Sequence, residues 1–133
     1  MQRNVVILPT TPGATDLPYS SAVIASGHFV FTSGYVGFDP ATGDMPAGIE
    51  AQTAQALENL KAVLEAAGSA LEHVVKTTVY LTRAEDYAGM NAVYKRYFPT
   101  ERPARATLVV QLVRPDLLIE IEMVALMPDG GGT

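Results

Sequence analysis

From Ile49 to Ala67 the apolar residues Ala56, Leu57, Leu60, Val63, Leu64 and Ala67 recur every three or four positions, and Gly68 follows. That period lays one apolar stripe along a helix. Gln52, Gln55, Glu58, Asn59, Lys61 and Glu65 are left for solvent, and the glycine supplies a left-handed stop. A one-sided helix must bury its stripe against a partner. The next stretch, "VVKTTVYLT" from Val74 to Thr82, is β-branched and aromatic, which predicts a strand. A second helix is predicted from "TRAE" (Thr82 to Glu85), a capping box in which Glu85 reaches back to the free N–H groups. It runs to about Phe98, where Pro99 stops it. A strand between two amphipathic helices points to a sheet covered by helices on one face only.

The flanking segments supply the other strands. "NVVILP" reads as an edge strand halted by proline, and "SAVIAS-GH-FVFTSG" as a tight hairpin turning at Gly27 and His28. "DPATGD" is a turn-rich loop. "RPARATLVVQL" and "LLIEIEMVAL" are two closing strands split by the turn "VRPD". The expected order is β-β-β-α-β-α-β-β in one domain spanning residues 1–133, with "MPDGGGT" (127–133) as a flexible tail. The sheet face away from the helices mixes polar and apolar residues. Such a face on a small domain suits a subunit interface or a pocket wall.

Composition excludes several chemistries. No cysteine is present, so thiolate nucleophiles, Cys-bound zinc and disulfides are out. His28 and His73 stand 45 positions apart without acidic or histidine neighbours at metal-ligand spacing, so neither is expected to act as a ligand or catalyst. A net charge of −5 disfavours a nucleic-acid backbone as partner; the basic residues Arg83, Lys95, Arg96, Arg102 and Arg105 read as a solvated face. With 48% apolar residues, no bilayer-length apolar run and no signal-peptide pattern, a soluble cytoplasmic protein is expected.

One constellation stands out. Strand alternation sets Arg105, Thr107, Val109 and Gln111 against Ala106, Leu108, Val110 and Leu112, and groups Leu118, Glu120, Glu122 and Val124. If both strands bury their apolar sides under the helices, Arg105 and the two glutamates share the opposite face. Two readings stay open. One is a cross-strand ion pair of little energetic weight. The other is an anion site, with a guanidinium gripping a carboxylate through two parallel hydrogen bonds and a glutamate handling a proton.

The stretches "LPYSSAV", "FVFTSGYVGFDPATGD", "AQTAQALENLKAVLEAAGSALEHVVKTTVYLT", "MNAVYKRYF", "RPAR" and "LIEIEMVAL" cover nearly the whole chain. In this order and spacing they resemble the RidA/YjgF family of reactive imine and enamine deaminases. The resemblance implies a chorismate-mutase-like α+β fold, a mixed sheet with two helices on one face. It also implies a homotrimer with active sites in the clefts between subunits. The implied chemistry is hydrolysis of 2-aminoacrylate and related imines, released by pyridoxal-phosphate enzymes, to 2-keto acids and ammonia, with neither metal nor cofactor. Carried over position by position, Arg105 of "PAR" binds the substrate carboxylate, and Glu120 of "IEIE" positions or deprotonates the attacking water. Tyr19, Ser33, Gly34, Asn91 and Thr107 line the substrate pocket. A non-enzymatic trimer binding keto acids or proteins, with a chaperone-like role, is the alternative; a ribonuclease role finds neither a basic stripe nor a general-base histidine here. The chain departs from the family where "SGYVG" replaces "SGQIP", which sets Tyr35 and Gly37 beside the expected pocket, and where "VRPD" replaces "LPKD".

Overall fold

A computed structural model describes residues 2–9 and 16–128. The strands are β1 (Gln2–Val6), β2 (Ala22–Ser26), β3 (Phe29–Phe31), β4 (Tyr35–Val36), β5 (Val74–Leu81), β6 (Ala104–Val109) and β7 (Ile119–Leu126). The helices are α1 (Ile49–Ala67) and α2 (Tyr87–Tyr97), with short 3-10 turns at Leu71–His73 and Ala84–Asp86. No helix among the described residues is long and apolar enough to cross a membrane. Most of the expected tail, residues 129–133, lies outside the described residues.

The main sheet runs β3-β7-β5-β6, with β4 also paired to β7. β5 and β6 are parallel, joined through α2, and β7 is antiparallel to β3, β4 and β5. A parallel pair needs a long crossover, which α2 provides. Alternation in β7 sends Ile119, Ile121, Met123 and Ala125 into the core. They lie beside Thr77, Val79 and Leu81 of β5, in the register Thr77↔Met123, Val79↔Ile121 and Leu81↔Ile119. α1 covers them with Ala56, Leu57, Leu60 and Leu64, and α2 with Met90, Val93 and Tyr94. Each leucine buried in this way contributes about 1.5–3 kcal/mol relative to an exposed one. Gly68 ends α1 in the left-handed conformation at φ 91°, ψ 16°, as expected.

Four local expectations are corrected. β2 and β3 form no hairpin: β2 pairs with β1, Gln2↔Ser26 through Val6↔Ala22, while β3 pairs with β7. Gly27, at φ 132°, passes the chain from one sheet to the other, and β3 gains the central strand as its partner. The β1–β2 ribbon is fastened by Arg3, whose Nε and Nη2 donate to the Val74 carbonyl at 3.0 and 2.8 Å. The second correction is the strand β4, separated from β3 by a bulge. Phe31↔Val124 and Tyr35↔Ile121 leave one extra residue on this side, accommodated around Ser33 and Gly34.

The third is the helix start. No side-chain cap forms, and Glu85 is exposed. Arg83 instead pairs with Asp86 through both Nε (3.0 Å) and Nη2 (2.8 Å), across a 3-10 turn that delays the helix to Tyr87. The two-pronged ion pair replaces the box.

The fourth concerns Gln52, which is buried rather than solvated. Its Nε2 donates to the Pro46 and Asp116 carbonyls, each at 3.1 Å, and its Oε1 accepts from Leu118 N at 2.9 Å. The amide thereby ties the loop before α1 to the start of β7. Gly37 crosses α1 at the same place: a Cβ there would stand 2.6 Å from the Gln52 carbonyl oxygen. Backbone cannot yield as a side chain can, so Gly37→Ala should cost on the order of 1–3 kcal/mol. Urea unfolding reads this as a lowered midpoint; an unchanged midpoint would contradict the close approach.

A candidate active site in two halves

Arg105 faces the helices. In the parallel register Thr77↔Arg105 and Val79↔Thr107, both β6 side chains share the face of the buried β5 residues. The expectation that Arg105 lies on the glutamate face is therefore corrected. Leu108, expected under the helices, is instead 44% exposed on the other side. β6 is an edge strand with apolar residues on both faces, so alternation alone leaves its phase undetermined. The aromatic stripe of α2 settles it.

That stripe is Tyr87, Met90, Asn91 and Tyr94, at the i, i+3, i+4, i+7 spacing of one helix face. The Arg105 guanidinium carbon sits 4.7 Å from the Tyr94 ring centroid, 5.4 Å from Tyr19 and 5.7 Å from Tyr87. Three π faces hold a cation without neutralising it. Its nitrogens have weak partners: Nη2 donates to the Tyr87 hydroxyl at 3.3 Å, and Nη1 stands 3.7 Å from the Met90 sulfur. Nε is buried and has no hydrogen-bond partner among the described residues. Burial pushes the Tyr94 hydroxyl up to about 12, so it stays neutral beside Arg105, bonded to Thr77 Oγ1 at 2.8 Å. The Asn91 Oδ1 is likewise buried without a partner among the described residues.

The approach of Tyr19 is built by its neighbours. Ser20 N donates to the Pro103 carbonyl at 3.2 Å, and the Ser20 hydroxyl bonds the Arg102 carbonyl. Arg102 in turn donates from Nε to the Phe98 carbonyl (2.6 Å) and from Nη1 to the Leu17 carbonyl (2.9 Å). The two arginines of "RPAR" thus divide their work. Arg102 closes the end of α2 and fastens the segment carrying Tyr19, while Arg105 keeps no carboxylate partner among the described residues.

Glu120 belongs to the opposite face. It is registered with Tyr80 on β5 and Val36 on β4, and Glu122 with Thr78. No cross-strand ion pair with Arg105 is formed among the described residues, which removes that reading. Gly34 lies against Glu120: a Cβ there would fall 2.1 Å from Oε2. The bulge after β3 therefore brings bare backbone to the carboxylate, with Ser33 exposed beside it. Tyr80 donates to Glu122 Oε1 at 2.8 Å, and that bond holds its hydroxyl above the usual tyrosine range.

Of the expected site residues, Arg105, Tyr19, Asn91 and Thr107 thus fall in one half, and Glu120, Ser33 and Gly34 in the other. Tyr87, Met90, Tyr94 and Tyr80 were not anticipated, although the α2 spacing that marks three of them is present in the sequence. Tyr35 does not stand beside Glu120. Paired with Ile121, it turns toward α1 and packs on the core, bordering an apolar depression of about 470 Å³ with Phe38, Pro40 and Ala62. His28 is exposed in the turn after β2, and His73 ends a 3-10 turn.

Residues 11–127 match the family described as Endoribonuclease L-PSP. A RutC family protein of Pyrococcus abyssi is 47% identical over 126 residues, covering 94% of this chain and 98% of its own. A human 2-iminobutanoate/2-iminopropanoate deaminase is 41% identical over 125 residues, covering 93% and 90%. Among solved structures, Escherichia coli TdcF with bound serine superposes at a TM-score of 0.71 with 35% identity, covering 92% of this chain and 98% of that one. The tyrosine-walled arginine and the glutamate at the glycine bulge are thus carried by a member of the Endoribonuclease L-PSP family, known also as RidA/YjgF.

Proposed function

We propose that the protein hydrolyses small 2-imino acids and their enamine tautomers to 2-keto acids and ammonia, in clefts between the subunits of a homotrimer. The observation that carries this reading is Arg105: a partly buried guanidinium walled by three tyrosines, with no carboxylate partner among the described residues. Leaving such a cation unpaired is costly, and a ligand carboxylate relieves the cost through charge-assisted, two-pronged bonds. The human deaminase and the serine-bound TdcF support a small carboxylate bearing nitrogen as the ligand.

The division of the site supports assembly. Arg105 and Glu120 point from opposite faces of one sheet, so a single protomer cannot present both to one small molecule. A neighbouring copy that brings its own Glu120 face against the Arg105 half completes the site. The open face carries apolar groups suited to burial: Phe31, 75% exposed beside Val124 on one edge, and Leu108 on the opposite edge strand.

In the completed cleft Arg105 fixes the carboxylate, and with it the adjacent C=N carbon. Glu120 takes a proton from water as the oxygen adds to that carbon, giving a tetrahedral carbinolamine. The same proton passes to nitrogen; Glu120 then takes the hydroxyl proton and delivers it to the amine, so that the C=O bond forms as the C–N bond breaks, and the keto acid and ammonia leave. Water supplies both the oxygen and the hydrogens, so the step balances without a further reactant. The nuclease named in the family's description would need a cationic track. Here Arg105 is enclosed by tyrosines and Arg102 is spent on carbonyls.

Release of keto acid and ammonia from an imine generated in situ tests the activity; rates equal with and without the protein would refute it. Sedimentation equilibrium should report three times the 14.2 kDa chain. A monomer at micromolar concentration would leave the two halves apart and remove the proposed site.

A further inference from the structure

We propose that Arg3 is a positioning residue for the carboxylate grip: it holds a left-handed turn at Glu101, and that turn docks Tyr19 against Arg105. This rests on the carboxylate role of Arg105 given above. Glu101 stands at φ 44°, the one non-glycine residue with positive φ among the described residues. The left-handed region is unfavourable for a side chain of this kind, so the conformation persists only where its surroundings impose it. The Glu101 side chain is exposed, which leaves the restraint to its carbonyl. Arg3 Nη2 donates to that carbonyl at 2.7 Å and to the Val74 carbonyl at 2.8 Å, and Nε adds a second bond to Val74 at 3.0 Å. One guanidinium thus ties the peptide leaving Glu101 to the start of β5.

The residues that follow depend on that turn. Arg102 reaches back to the Phe98 carbonyl at 2.6 Å and across to the Leu17 carbonyl at 2.9 Å. Ser20 N donates to the Pro103 carbonyl at 3.2 Å, and Ser20 is bridged in parallel to Ala104. Leu17 and Ser20 bracket Tyr19, and Ala104 precedes Arg105, so the ring is held 5.4 Å from the guanidinium carbon. A right-handed Glu101 would redirect the peptide leading into Arg102 and loosen both anchors of the Tyr19 segment. Arg105 would then keep two π walls rather than three. Arg3 therefore contributes pre-organisation rather than charge. None of its bonds reaches the Glu120 half, so it acts on affinity and not on turnover.

Arg3→Met keeps an apolar stem and drops the guanidinium. Calorimetric titration should show pyruvate binding weakened about fivefold, the weight of one cation–π wall. KM for the imine should rise in step, with kcat staying within about twofold of wild type. Glu101→Asn in that background should return pyruvate affinity to within about twofold of wild type, because asparagine enters the left-handed region readily. Glu101→Val with Arg3 intact should reproduce the loss, since a β-branched residue resists that region. That variant decides the matter even where Arg3→Met fails to fold. An Arg3 that only fastens the β1–β2 ribbon would lower the unfolding midpoint of Arg3→Met and leave pyruvate affinity at the wild-type value, and that result overturns the proposal. Failure of Glu101→Asn to restore affinity, or wild-type affinity in Glu101→Val, also overturns it. A wild-type protein that binds no pyruvate lacks the anion site itself, which leaves Arg3 nothing to position and removes the proposal with it.

Discussion

Arg105→Lys should lower kcat/KM for imine hydrolysis by roughly 30- to 1000-fold and weaken pyruvate binding by a similar factor. The charge is kept, so a simple Coulomb account predicts little change. Geometry decides otherwise. A planar guanidinium stacks against the rings of Tyr94, Tyr19 and Tyr87 and still directs nitrogens at a carboxylate. An ammonium has no plane to stack and no fork to present. Its compact charge, more strongly hydrated than that of a guanidinium, is also less suited to the tyrosine walls. Calorimetric titration with pyruvate and the keto-acid assay read the two effects separately. Unfolding midpoints check that the variant retains its fold. Wild-type affinity and rate in Arg105→Lys would refute the carboxylate role.

The parts of the fold legible in the sequence are those where one face alone is apolar. α1 starts and stops where its period and Gly68 place it, and the alternation of β7 carries through to the core. Legibility fails where both faces are apolar or where a partner is distant. β6 carries Leu108 on one side and Val109 on the other, so its phase waited on the tyrosines of α2. The pairing of β3 with β7 rather than β2 joins segments more than 90 residues apart, beyond any local turn signal. Gln52 looks solvated because its type is polar; its burial follows from carbonyls of Pro46 and Asp116 that fold in from elsewhere. The candidate site residues were named from their motif stretches. Their separation into two faces was not legible, because it depends on that same phase of β6.

That separation gives the last expectation its form. Glu120→Gln keeps the shape of the side chain against Gly34 but cannot take a proton from water. Turnover should fall by about 10²- to 10⁴-fold, the contribution of a positioned general base. Pyruvate binding should change far less, because the carboxylate grip lies in the other half. Arg105→Lys fails in binding and Glu120→Gln in turnover, so each variant spoils a different half of the site. Suppose each cleft takes Arg105 from one subunit and Glu120 from the next. In a ring of three, any mixed trimer of the two variants then contains one cleft with both native residues. Unfolding and refolding the variants together in equal amounts gives a given cleft both native residues in about one case in four. The mixture should therefore recover about a quarter of wild-type activity, although neither variant alone approaches it. A site built within one protomer predicts no recovery at any ratio. If no activity returns on co-refolding, while sedimentation shows that mixed trimers have formed, the shared cleft is refuted and the two halves must serve separate ends.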